Sequence, residues 1–409
     1  MAGLIAHEWI EAHGGSENVL EAIASLYPDA DIVTPWNNAP HRFPDRDVHE
    51  LWLAKSPLRG KKAHSVPFLT MAWRSAVPKH LDYDWVISSS HLFSHHVLPR
   101  GRSEGVPKLV YAHTPARYIW TPELDERGNS LPARLLSPAL RRIDRHRAAE
   151  ATAIAGNSAY VADRIRDAWG VEATVIHPPV EVAKLQSVLE WAALTTPEEQ
   201  GMLAGLPREF VLGASRFIPY KRLDLVIAAG SKAGLPVVLA GGGPENARLR
   251  ALAAEAAVPV HFVDSPSSAL LYALYQAATV YVFPPVEDFG IMPIEAIAVG
   301  TPVVGSWIGG SAETITEGVS GVHFEAPDAD SLARAIAAAA ALDTEACRAE
   351  SAKFSREAFN ARFTSWVDAS LARTTLVEAR VQLRPNPDPT ASMRPKTQFG
   401  SVQRSHAGG

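Results

Sequence analysis

One cysteine in 409 residues, Cys347, rules out an internal disulfide, and a chain this long without one fits a reducing compartment, so a cytoplasmic location is expected. Long apolar runs are also missing. The longest, Ala335 to Leu342, is far too short to span a bilayer, and residues 1–8 show no basic flank followed by an apolar stretch, so no secretory signal is read there. Nor is there an excess of one charge: 39 Lys and Arg against 44 Asp and Glu leave −5, without the basic footprint that nucleic-acid binding demands. No nucleic-acid partner is expected. What remains is an average globular composition, 47% hydrophobic and 20% charged, on a chain long enough at ~150 residues per domain for two or three domains.

Short apolar runs ending in Gly, Pro or Asn alternate with helical patterns, the signature of parallel α/β units. Strands are predicted at 4–9, 31–36, 84–90, 108–113, 151–155 and 173–177, separated by helices near 17–26, 134–149 and 158–168. A second series has strands at 210–214, 236–240, 260–263, 279–284, 302–305 and 321–324, with helices near 222–233, 245–256, 267–277, 290–299 and 328–341. The expected organisation is one doubly wound domain over 1–180, a linker over 181–208 and a second such domain over 209–353. A helix over 354–379 packs back on the body, and a Pro-rich tail over 380–409 is expected to be disordered.

The most informative segment runs Phe283-Pro-Pro-Val-Glu287-Asp288-Phe289-Gly290-Ile291-Met-Pro-Ile-Glu295. It places a strand end, a loop carboxylate and a helix start together, where open α/β sheets bind ligands. The free N–H groups at Gly290 and Ile291 suit an anion such as a diphosphate, and Glu295, one turn on, can accept hydrogen bonds from a polyol. After the strand at 210–214 come Arg216 and Lys221, five apart, suited to the same diphosphate. Two solvated basic residues would be the plainer reading, but a helix start disfavours cations. After the first strand, Gly14-Gly15-Ser16-Glu17 lets the backbone approach a ligand, or forms an ordinary turn with Ser16 as N-cap. His113, in Tyr111-Ala-His113-Thr-Pro-Ala-Arg117-Tyr-Ile-Trp120, also sits at a strand end and could hydrogen-bond a sugar hydroxyl.

Glu287 and Glu295, eight apart and bracketing Phe-Gly-Ile, make the chain resemble the retaining glycosyltransferases of the GT-B fold, family 4, over about 4–372. The string His-Thr-Pro-x-Arg-Tyr-x-Trp resembles a subgroup containing bacterial GDP-mannose-dependent mannosyltransferases that build surface polysaccharides, with Thr121 where those often carry Asp. The resemblance implies two facing Rossmann-like domains with an interdomain cleft, the acceptor held by the first and the donor by the second. It implies catalytic roles for His113, Arg216, Lys221 and Glu287. Donor contacts would come from Gly15, Asp288, Phe289, Gly290, Ile291 and Glu295, the last on the ribose.

Metal and cofactor are expected to be unnecessary, the co-substrate being a nucleotide sugar, GDP-mannose by preference. The acceptor would be a glycan, lipid-linked or small molecule. A UDP-sugar glucosyl- or galactosyltransferase and a non-catalytic nucleotide-sugar binder are the alternatives. A glycosidase also uses two carboxylates, but flanking one glycosidic bond rather than beside an anion site. His91, His95 and His96 have no Cys or paired carboxylate at ligand spacing nearby, so an acceptor-side or structural role is expected. Arg134, Arg141, Arg142, Arg145 and Arg147, with only Asp144 opposing, make a basic helix that is either a solvated face or a peripheral membrane contact.

Overall fold

The computed structural model describes residues 2–77, 82–98, 105–122 and 131–382. In the first lobe, β1 (Gly3–His7), β2 (Asp31–Thr34), β3 (Val48–Glu50), β4 (Trp85–Ser90), β5 (Lys108–Ala112), β6 (Ala153–Gly156) and β7 (Thr174–Val175) pair in the order β3-β2-β1-β4-β5-β6-β7, all parallel. In the second, β8 (Val211–Arg216), β9 (Val237–Gly242), β10 (Val260–Asp264), β11 (Val280–Phe283), β12 (Val303–Ser306) and β13 (Gly321–Phe324) form a parallel sheet ordered β10-β9-β8-β11-β12-β13. Strands such as β1, β4 and β11 are buried along their whole length, because helices cover both faces of a parallel sheet and an alternating polar face would have no water to meet.

The covering helices of the first lobe are α1 (Gly15–Leu26), α2 (Lys62–Arg74), α3 (Arg117–Trp120), α4 (Leu131–Ala148) and α5 (Ala159–Trp169). Then follow α6 (Val182–Ser187), α7 (Pro197–Ala204), α8 (Leu223–Ala233), α9 (Asn246–Ala254), α10 (Ser268–Ala277), α11 (Ile291–Ala298), α12 (Ser311–Thr314), α13 (Ala329–Ala339), α14 (Thr344–Glu350) and α15 (Arg356–Gln382). Their ends carry local signals: Ser158 and Ser267 accept from Val161 N and Leu270 N to cap α5 and α10, and Gly170 in the left-handed region closes α5. Ser16 is not a cap. The N-cap of α1 is Gly14, and the Ser16 hydroxyl instead donates to Glu17 at 2.8 Å.

The stretch expected as a linker does more than tether. Val182, Leu185 and Trp191 are buried in the second lobe's core with Phe210, Tyr275 and Ile297, so α6 and its neighbours belong to that lobe's packing. The chain then returns: Phe359, Phe363, Trp366 and Val367 of α15 pack with Ile5, Ile23 and Tyr111 of the first lobe. The tail expected from 380 lies, beyond residue 382, outside the described residues. Among the described residues no helix is long and apolar enough to cross a membrane.

Candidate active site in the interlobe cleft

Both sheets reverse their winding at one place, where β1 meets β4 and β8 meets β11, and the carboxyl ends of these neighbouring strands open crevices that connecting loops leave uncovered. A cavity of about 700 Å³ lies there, lined from the first lobe by Gly15, His113 and Asn157 and from the second by Glu287 to Met292. The structure thus gathers Gly15, His113, Glu287, Asp288, Phe289, Gly290 and Ile291 around one space. Arg216, Lys221 and Glu295 are not among the lining residues, though Lys221 touches one that is.

At Gly15 a Cβ would fall 2.7 Å from Ile291 Cδ1, so a glycine is what lets the first lobe's turn approach the start of α11. Gly290, at φ +94, turns the chain into that helix and leaves its first N–H groups at the cavity. Glu287 accepts from the buried Lys221 ammonium and, at 3.4 Å, from Tyr220 OH. Arg216 ends β8 exposed, with no ion-pair partner among the described residues. Glu295 is half-buried on α11 without a hydrogen-bond partner among the described residues, and burial pushes its carboxyl up to about 7.

His113 is fixed by its N–H to Ser90 O at 2.7 Å and by Nε2 to Ser89 Oγ at 2.9 Å, a hydroxyl that also meets His7 Nδ1 at 3.0 Å. Burial first, then the neighbouring His91 and His7, hold its pKa well below the usual range, so the ring is neutral at neutral pH. It can exchange hydrogen bonds with a sugar without carrying charge.

The Asp288 carboxylate, expected at the donor, is taken up by the opposite lobe. Arg117 reaches it at 3.0 Å from Nε and 2.5 Å from Nη2, and Arg164 reaches its other oxygen at 2.5 Å. Its carbonyl accepts from Ser158 Oγ at 2.5 Å. Nearby, Glu313 of the second lobe accepts from Ala159 N at 2.8 Å, at the positive end of α5, and meets His177 Nε2 at 2.8 Å. In this structure Asp288 therefore holds the donor loop to the first lobe.

Three supports escaped the sequence reading. Glu8, fully buried at the end of β1, accepts backbone N–H groups from Leu92, Phe93 and Ser94 at 2.7–2.9 Å and from His91 at 3.1 Å. Burial works against its charge, yet His91, His7 and these N–H groups hold the carboxyl at about 2, so this anion moulds the loop that carries His91 to the cavity.

A single carboxylate, Asp144, attends two of the three histidines. It lies 3.0 Å from His95 Nε2 and 2.9 Å from His96 Nε2, and its other oxygen accepts the indole N–H of Trp120 and Trp169, each at 2.7 Å. Among the described residues these two imidazoles and the carboxylate are the one set spaced to hold a metal ion; with hydrogen bonds to His96, Trp120 and Trp169, Asp144 forms a node joining α3, α4 and α5. The basic helix is partly used up in the same packing: Arg141 and Arg145 lie 5.5 and 5.4 Å from the Trp120 ring and Arg147 pairs with Glu150 at 2.6 Å, while Arg142 and Arg145 remain exposed. Finally, Gly241 and Gly243 let the end of β9 and the turn after it press on Ser215 and Phe217 beside Arg216, where a Cβ would strike backbone at 1.8 and 2.6 Å. The Gly-Gly-Gly run was the available signal.

Two parallel doubly wound sheets facing across a cleft, with a helix start and Glu287 lining it, define the GT-B class of glycosyltransferase. Residues 13–184 match the sequence model of Glycosyltransferase Family 4 and residues 200–358 that of Glycosyl transferases group 1, and the chain belongs to this family-4 type of GT-B protein. A D-inositol 3-phosphate glycosyltransferase of Mycobacterium avium is 34% identical over 37% of this chain and 40% of that protein. A GDP-mannose-dependent alpha-(1-6)-phosphatidylinositol monomannoside mannosyltransferase of Mycolicibacterium smegmatis is 29% identical over 48% of this chain and 54% of its own length. The chain thus matches about half, or less, of each of these curated relatives. Among solved structures, sucrose-phosphate synthase from Thermosynechococcus elongatus superposes with a TM-score of 0.67 at 21% identity, over 90% of this chain and 99% of the other. Anabaena HepE in complex with UDP-glucose gives 0.63 at 19%, again over 90% and 99%. At these identities the likeness is one of fold.

Proposed function

We propose that the chain transfers a hexose, mannose by preference, from a nucleotide-diphosphate sugar to an acceptor hydroxyl, with retention at the anomeric carbon and no metal ion. GDP-mannose is the favoured donor. The observation that carries this reading is the meeting of Gly15, His113, Glu287 and the Gly290–Ile291 helix start around one cavity, with Lys221 on Glu287 and the unpartnered Glu295 one turn away. The relative that uses GDP-mannose supports the choice of donor.

In this reading the diphosphate meets the α11 N–H groups, Arg216 and Lys221, the sugar hydroxyls meet Glu287 and His113, and the ribose meets Glu295. The bond between the anomeric carbon and the phosphate oxygen breaks as the acceptor oxygen bonds on the same face, and the acceptor's proton passes to the departing phosphate. Preorganised charge aimed at that leaving group is the main catalytic lever, each such contact amounting to about 3 kcal/mol. The test is nucleotide release from a panel of donors with product anomer read by NMR. GDP-mannose should turn over fastest and give an α-linked product; preference for UDP-glucose, or inversion, would refute the respective part.

A further inference from the structure

The cavity has a second half that the donor does not explain. Beyond His113 it extends between α2, α3 and α4, where its wall consists chiefly of Trp9, Val66, Pro67, Tyr118, Leu136 and Leu140. Among the described residues, those it takes from these three helices include no Asp, Asn, Glu or Gln, the side chains that usually read a sugar's hydroxyls. Its two cations are already matched: Lys62 pairs with Glu11 at 2.7 Å and lies 4.8 Å from the Trp9 ring, and Arg117 is held by Asp288. The apolar stripes run outward. On α4, Leu136, Leu140 and Ile143 recur at helical spacing, with Leu136 48% and Ile143 39% exposed; on α2, Ala63, Pro67 and Met71 do the same, with Met71 59% exposed.

What fills this half follows from its continuity with the donor half. A transferred sugar must be met by an acceptor oxygen at the same anomeric carbon, so the space next to His113 and Glu287 is the acceptor's. Resting on the transferase reading above, we propose that this acceptor is an amphiphile: a hydroxyl-bearing head at His113 and Glu287, attached to an uncharged alkyl chain that lies between α2 and α4. An acceptor made only of saccharide would leave this aliphatic wall against water and find few hydrogen-bond partners along it among the described residues.

The experiment compares methyl and octyl α-D-mannoside as acceptors for the full chain, below micelle-forming concentrations, with GDP-mannose as donor and with binding followed separately by tryptophan fluorescence. Each methylene buried should tighten binding about fourfold, so even partial burial predicts at least a tenfold lower KM and Kd for the octyl compound. Leu136→Gln, at an exposed helical position, should shrink that ratio, and Val66→Gln should do so independently. Equal constants for the two glycosides, or a chain-length effect untouched by both variants, would overturn the proposal. Sedimentation with phosphatidylcholine–phosphatidylglycerol vesicles, together with indifference to monomeric chain length, would assign the stripes to a bilayer surface and overturn it too. Chain-dependent binding without any sugar transfer would instead uphold the amphiphile site and refute the transferase reading.

Discussion

If Glu295 accepts hydrogen bonds from the ribose, donor affinity must depend on pH in a calculable way. Burial holds its carboxyl near 7 rather than the usual 4.5, which means the native protein keeps a proton there that the unfolded chain would release. Its contribution to folding is accordingly most favourable below pH 4.5 and is lost as pH rises through about 7. A ribose whose hydroxyls donate to the carboxylate favours the charged form, so binding expels that proton and tightens as pH rises. Taking the bound value as the ordinary 4.5, affinity at pH 5 should be about 70-fold weaker than at pH 8, and smaller shifts scale the effect down. Calorimetry with GDP-mannose, whose diphosphate diester does not titrate in this range, reads both the constants and, across buffers of different ionisation enthalpy, the proton released. Glu295→Gln should flatten the profile while keeping the fold. A flat profile in the unaltered chain, or one that survives in Glu295→Gln, would refute the reasoning.

Arg216→Ala and Lys221→Ala should each lower kcat by about 10²- to 10³-fold with a much smaller effect on donor Kd, because their contact strengthens as charge develops on the leaving group; near-normal turnover at saturating donor would remove them from catalysis. Asp288→Asn leaves Arg117 and Arg164 facing one another, and losing a largely buried partner of this kind amounts to about 3 kcal/mol, roughly a hundredfold in favour of the separated lobes. Small-angle scattering should then report a larger radius of gyration, and an unchanged profile would show that the cluster does not hold the lobes. Activity should persist in EDTA; a complete loss reversed by one divalent ion would end the metal-independent reading.

The segment that brings a strand end, a carboxylate and a helix start to the cavity was legible because its signals are local. Glu287 and Gly290 fall within four residues spanning a strand end and a helix start, so the period of the chain alone puts them at a crevice, whereas Glu295, one turn on, lies outside the cavity lining. The supports were not, since their partners are distant: Glu8 grips residues 83 to 86 positions away, His96 meets Asp144 across 48, and Asp288 meets its arginines across 171 and 124. Two elements were missed for physical reasons. Pro67 sits inside α2, where the pattern reads as a break, and β3 is only partly buried, so it has no apolar run to announce it. The residues of 181–208 lacked a strand period because they form short helices, a distinction that composition does not make.

The pairing of Lys221 with Glu287 has a consequence for discrimination. Each is the other's counter-ion, so under the proposed roles a ligand that draws off the ammonium with its phosphate also strands the carboxylate, and one that engages the carboxylate with hydroxyls strands the ammonium. A free diphosphate satisfies one charge and a free sugar the other; only a molecule carrying both ends replaces the internal pair without leaving an orphan. The two residues would then act as a logical conjunction, favouring the intact donor over its own fragments, and as the bond between those fragments breaks, the pair is free to close again and speed their departure.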